Sequence, residues 1–301
     1  MTHRPLVHIG MPKCASTWLQ KHYFNRAHGF TPLFNTTQAY MAFVAARSFD
    51  WTDPKPLADI DDSEGLVPLV SLEGLVGKPL IGGANGEVNM YRLLASLPQA
   101  RILLVIREQR AMLRSMYQLL VNWGYPYPIE QVVENRLPVN IPGFEPAFLC
   151  YERAIAAYQK HFGEDAVLVL PMEMFQTEPL AFLGKIGAFC GIDLQRYPVT
   201  ADVARKENEK RSLVSLELKR LYNSCLAKTR LSPFGLYTPD NIQGAGNVNP
   251  SLPGWLNQRL EMRFSNRLNR LIDGRFSASN ARTEALTGLS LGQYGYQLPG
   301  G

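Results

Sequence analysis

Leu6-Val7-His8-Ile9-Gly10-Met11-Pro12-Lys13-Cys14-Ala15-Ser16-Thr17-Trp18 is the stretch from which the rest of the chain is best read. A short β-type run stops at Gly10 and Pro12, and Ser16 then opens a helical stretch expected to reach about His28. Strand, loop and helix in that order bring a lysine, two hydroxyls and free backbone N–H groups to a helix start, which makes a cradle for phosphate. In a Walker A loop the lysine directly precedes the Ser/Thr. Here Lys13 lies three residues after Gly10 and three before Ser16, so that spacing is not matched. Taken alone, the segment reads equally well as a βα turn capped by Ser16 with an exposed lysine.

Moving outward, the run Leu66 to Leu72 ends at Glu73-Gly74, and Arg101 to Ile106 follows a helical pattern at Asn89 to Leu97. Ala111, Ser115, Leu119 and Asn122 recur at helical spacing, a helix is expected at about Pro146 to Phe162, and a fourth strand at Ala166 to Leu170. Strands alternating with helices predict an α/β fold: a central parallel β-sheet flanked by helices, of the P-loop nucleoside-phosphate-binding type. Lys13, Glu73 and Arg107 all fall at carboxyl ends of strands, where such sheets bind ligands. Pro179 to Cys190, Ser212 to Lys228 and Pro253 to Ile272 predict a helical C-terminal part, with a long Gly/Pro/Asn-containing connection from Pro233 to Trp255. The expected organisation is one domain over 1–275 and a weakly charged, loosely docked or disordered tail over 276–301.

Of 301 residues, 46% are hydrophobic and 19% charged, which excludes disorder as the main state. The net charge of +5 suits an anionic ligand without pointing to nucleic acid. No apolar run approaches the roughly 20 residues of a membrane helix, and the N-terminal residues carry no long apolar h-region. Cys14, Cys150, Cys190 and Cys225 are scattered without a Cys-x-x-Cys pair, so neither a disulfide framework nor a structural zinc site is expected. A cytoplasmic protein without a metal is the expectation.

A second anion site is suggested by Ile102 to Tyr117, where the strand ends in Arg107 instead of the aspartate of a Walker B magnesium site. Arg107 and Ser115 are eight residues apart, about two helical turns, so a guanidinium and a hydroxyl can share one anion. Separately, each residue is as readily a salt-bridge partner or a helix-surface side chain.

Taken together, Ile9 to Gln20 and Arg107 to Tyr117 resemble the two donor-binding elements of the sulfotransferases that use 3′-phosphoadenosine 5′-phosphosulfate, bacterial members in particular. Weaker similarity continues through Tyr151 to Asp193, including Phe162-Gly163 and Val167 to Pro171. The resemblance implies that Lys13, Ser16 and Thr17 hold the 5′-phosphosulfate, that backbone groups of Cys14 and Ala15 assist, and that Trp18 lies against adenine. Arg107 and Ser115 would grip the 3′-phosphate. Cys14 and Ala15 depart from the usual pattern, glycine being common at the latter position. Glu108-Gln109 is a variant associated with members that act on polysaccharides or glycolipids, which implies a carbohydrate acceptor.

Lys13 is the expected stabiliser of the leaving phosphate, by analogy with phosphoryl transfer and without a metal. Glu73, closing a Ser-x-Glu strand end similar to that of bacterial members, is the expected base, although a carboxylate there equally serves as a partner for Lys13. None of His3, His8, His22, His28 and His161 ends a middle strand, and His8 reads as a core residue. Lys206 and Asn208 lie where the family closes a lid over the donor, in a charge run that reads equally as a solvated helix approach. Trp123 to Tyr127 and Pro233 to Tyr237 are candidate acceptor walls, and Cys14 is expected to have raised thiolate character beside Lys13. The implied activity is sulfuryl transfer from the nucleotide co-substrate to a hydroxyl of a saccharide or glycolipid. The alternatives are a small phenol, alcohol or amine acceptor, an ATP-dependent phosphotransferase, and a non-catalytic nucleotide-binding protein.

Overall fold

The apolar runs lie side by side in one sheet. The structure, a computed structural model, describes residues 3–45, 64–81, 83–134, 143–199, 212–228, 235–241, 244–246 and 253–300. Strands β1 (Leu6–His8), β2 (Phe30–Pro32), β3 (Val67–Ser71), β4 (Arg101–Ile106) and β5 (Val167–Pro171) are parallel throughout, in the order β2-β3-β1-β4-β5. Leu6 stands opposite Leu69 on one side and Arg101 on the other, and Ile102 pairs with Val167. Ile102 to Ile106 are all buried, as expected for a parallel strand covered on both faces.

The helices are α1 (Ser16–Trp18), α2 (Thr36–Tyr40), α3 (Gly86–Ser96), α4 (Gln109–Asn122), α5 (Ile129–Val133), α6 (Tyr151–Phe162), α7 (Met172–Thr177), α8 (Pro179–Cys190), α9 (Leu213–Cys225), α10 (Gly254–Ile272) and α11 (Ser277–Thr287). Helix α6 packs on β4 and β5, α8 on β5, and α9 and α10 on α4. No helix among the described residues is long and apolar enough to cross a membrane.

Two expectations are corrected. The helix from Ser16 does not run on to His28: α1 widens over Leu19–Tyr23, and Asn25 caps a single turn, Arg26–His28, that Gly29 ends at φ 85. The chain then enters β2, an edge strand that three residues ending in proline do not announce. The C-terminal segment is also not a loose tail. Helix α11 buries Ser279, Asn280 and Thr283, and Leu291 and Tyr296 join the core. Its anchors are polar: Gln109 Nε2 donates to Asn280 Oδ1 at 2.6 Å, Arg282 Nη2 pairs with Glu152 Oε1 at 2.7 Å, and Ser279 Oγ donates to the same carboxylate. A small polar helix that docks through hydrogen bonds shows little apolar periodicity, so its sequence reads as a tail.

Candidate functional site

Strand order reverses direction at β1 and β4, and the chain ends that leave β1, β3, β4 and β5 meet above this switch point. Pairing persists beyond the strands: Leu72 N–H donates to the His8 carbonyl at 3.2 Å, Gly74 N–H to that of Gly10 at 3.0 Å, and Val76 N–H to that of Ile9 at 3.2 Å. The segment after β3 is thereby laced against the loop after β1. A Cβ on Gly10 would meet the Glu73 Cα at 3.0 Å and the Leu72 carbonyl at 3.2 Å, and φ there is +28. Glycine is what allows this approach.

The loop continues with Lys13 (φ 63) and Ala15 (φ 60) in left-handed conformations. Its central peptide groups are held by two of the residues singled out from sequence. Lys13 N–H donates to Glu73 Oε1 at 3.1 Å, and Arg107 Nη1 donates to the Lys13 carbonyl at 3.0 Å. The Lys13 side chain is exposed, as are Thr17 and Glu73. Ser16 is buried and does not cap α1, whose N-cap is Ala15; among the described residues its Oγ has no hydrogen-bond partner. The Nε of Arg107 is likewise buried without a partner. Buried polar groups of this kind call for a ligand or water.

One expectation for this loop is corrected. Cys14 is fully buried, and burial pushes its thiol up, against the pull of Arg107, so it has less thiolate character than a free cysteine. Trp18 is 6% exposed, its ring centroid 4.8 Å from that of Phe175 and 5.3 Å from that of His22.

Arg107 and Ser115 line one cleft of about 370 Å³ together with Arg110, Arg114 and Gln118 of α4 and Ser265 and Asn269 of α10. Glu108 starts α4 by accepting from Arg110 N–H at 3.1 Å and Ala111 N–H at 2.9 Å. Arg114 is held by Glu261 of α10 in a two-point pair at 2.7 and 2.8 Å. Arg110 and Arg114 escaped the sequence reading although their spacing from Arg107, three and seven residues, places them on the Ser115 face. The α10 side of the cleft had no signal in sequence.

His8 is fully buried, with Nδ1 2.8 Å from Ser71 Oγ, and burial lowers its pKa to about 4, so the ring is neutral. It is the core histidine its position implied. Lys206 and Asn208 lie outside the described residues. So does part of the Pro233 to Tyr237 stretch, within which Tyr237 is exposed. Trp123 is exposed while Tyr125 is buried. Among the described residues no group of three or more His, Cys, Asp or Glu is placed to hold a metal ion.

No family model and no curated protein matches the chain. Among solved structures, it is similar to a sulfotransferase from Alicyclobacillus acidocaldarius, with 17% identity and a TM-score of 0.46 over 74% of this chain and 95% of that one. It is also similar to a mouse sulfotransferase complexed with PAP, with 14% identity and a TM-score of 0.37 over 95% of this chain and 89% of that one. At such identities and scores neither likeness extends to chemistry.

Proposed function

We propose that the protein is a sulfotransferase that moves a sulfuryl group from 3′-phosphoadenosine 5′-phosphosulfate to a hydroxyl of a saccharide or glycolipid. The observation that carries this reading is the double engagement of Arg107. Its guanidinium reaches the carbonyl of Lys13 in the loop after β1 and also lines the Ser115 cleft. One strand end thus joins two anion sites, as a nucleotide with phosphate groups at both ends of its ribose requires. The unpartnered Ser16 Oγ and Arg107 Nε supply donors for those groups.

In this reading Lys13 places a mobile ammonium at the loop, where it follows the charge that grows on the bridging oxygen as the S–O bond breaks. The acceptor oxygen forms the new S–O bond, its proton passes to the Glu73 carboxylate, and 3′,5′-adenosine bisphosphate leaves. Glu73 would serve two ends, since Oε1 also accepts the Lys13 N–H and so ties the base to the loop that holds the donor. The Glu108-Gln109 pair supports the choice of acceptor through the sequence resemblance.

Calorimetric titration with 3′,5′-adenosine bisphosphate beside ATP with magnesium tests the proposal. Tight bisphosphate binding, weak ATP binding and a loss of about 100-fold in Arg107→Ala are expected, the last from removal of a charge-assisted contact worth about 2–3 kcal/mol. Preference for magnesium-ATP overturns the reading in favour of phosphoryl transfer.

A further inference from the structure

Behind the two proposed anion sites lies a polar cluster, its tyrosines buried and its carboxylate partly so, that the chemistry above does not use. Glu173, in the first turn of α7 after β5, directs its carboxylate inward: Oε1 accepts Glu108 N–H at 3.1 Å and Oε2 accepts the Tyr296 hydroxyl at 3.2 Å. From α6, the hydroxyl of Tyr151, which is fully buried, donates to the Arg107 carbonyl at 2.5 Å. The Arg107 carbonyl and the Glu108 N–H belong to one peptide group. That group is therefore gripped at both ends, and its orientation sets where the Arg107 side chain leaves the strand.

Tyr296 is 3% exposed and comes from the segment after α11. The same segment accepts a bond from Arg110 Nη2 at the Gly295 carbonyl, 2.6 Å, and α11 itself pairs Asn280 with Gln109 through both amide groups. Three residues in succession, Glu108 through Glu173 and then Gln109 and Arg110 directly, are fixed by the C-terminal segment at the point where β4 becomes α4. Glu173 is partly buried, and even partial desolvation of a carboxylate is a cost that an apolar side chain docking a tail there would not carry. What a carboxylate adds is a strong acceptor for one particular N–H.

We propose that the C-terminal segment is a working part of the anion site, in which Tyr296 acts through Glu173, together with Tyr151, to hold the 107–108 peptide and so aim the Arg107 guanidinium. Glu173 and Tyr296 are positioning residues. The inference rests on the donor reading for the identity of the anion, but the coupling itself is a property of the ligand-free protein.

The test uses the full chain and the variants Glu173→Ala, Glu173→Gln and Tyr296→Phe. Three quantities are measured for each: the unfolding temperature, the affinity for 3′,5′-adenosine bisphosphate, and amide exchange at Glu108 without ligand. Glu173→Ala should weaken bisphosphate binding about tenfold and Tyr296→Phe about threefold, both with faster exchange at Glu108. Glu173→Gln, which keeps an oxygen for that N–H, should restore both. A lowered unfolding temperature with affinity and exchange left at the parent's values marks the cluster as structural only and overturns the inference. If Glu173→Ala does not fold, parent-like exchange and affinity in Tyr296→Phe overturn it. A parent protein that binds no bisphosphate overturns the donor reading instead, and the exchange result still decides the positioning.

Discussion

Replacing Gly10 by alanine probes the approach of the β3 extension to the loop that follows β1. The new methyl would lie 3.0 Å from the Glu73 Cα and 3.2 Å from the Leu72 carbonyl. Both are backbone atoms that cannot rotate aside. Ser16 Oγ, at 3.1 Å, can turn away. A residue with a Cβ at φ +28 adds a conformational cost of about 1–2 kcal/mol, and the overlap adds about 1–3 kcal/mol. Gly74 separates the two terms: its φ is +93, but a Cβ there would meet nothing nearer than Lys78 Cγ at 3.9 Å. Gly74→Ala thus carries the conformational cost alone. Gly10→Ala should be less stable than Gly74→Ala by about 2 kcal/mol, which for a chain of this length is about 3 °C in the midpoint of a calorimetric melt. If Gly10→Ala melts with Gly74→Ala or above it, the backbone approach that places Glu73 beside the loop is wrong.

Glu73→Gln keeps an oxygen for the Lys13 N–H and should bind the bisphosphate within about threefold of the parent. Its turnover should fall about 100-fold or more, and turnover within tenfold of the parent removes Glu73 as the base. Alkylation of the native protein followed by mass spectrometry should label exposed Cys225 first and spare Cys14 and Cys190, whose thiols burial pushes up, that of Cys190 to about 12; labelling of Cys14 as fast as Cys225 contradicts the buried loop. His8, with a folded pKa of about 4 against 6.5 in the open chain, binds fewer protons folded than unfolded between those values. Its contribution to stability is therefore full above about pH 6.5 and is lost as pH falls toward 4, by about 3 kcal/mol in all. His8→Gln should flatten the stability profile over that window in denaturant titrations, and a profile as steep as the parent's shows that another group titrates.

Local pattern made much of this architecture legible. β4 falls where the apolar run from Arg101 to Ile106 places it, and α8 spans the predicted Pro179 to Cys190. Lys13, Glu73 and Arg107 were recognisable because each follows the carboxyl end of a strand, and they meet through the hydrogen bonds at the Lys13 peptide groups. β2 was missed because three edge residues leave too little pattern. The thiol of Cys14 differs from expectation because sequence shows the neighbouring lysine but not the burial, which outweighs the pull of Arg107.

The sequence by itself determined the alternation of strand and helix, the two phosphate-suited segments and the residue types at the strand ends, since these follow from spacing along one chain. Tertiary structure alone decided the strand order that puts β1 beside β4, the α10 wall of the arginine cleft, and the grip of Glu173, Tyr151 and Tyr296 on one peptide of the Arg107 turn. The cleft wall and the grip on that peptide join residues far apart in the chain through hydrogen bonds of polar side chains. Such partnerships leave no periodicity in either segment, and only packing brings the two together.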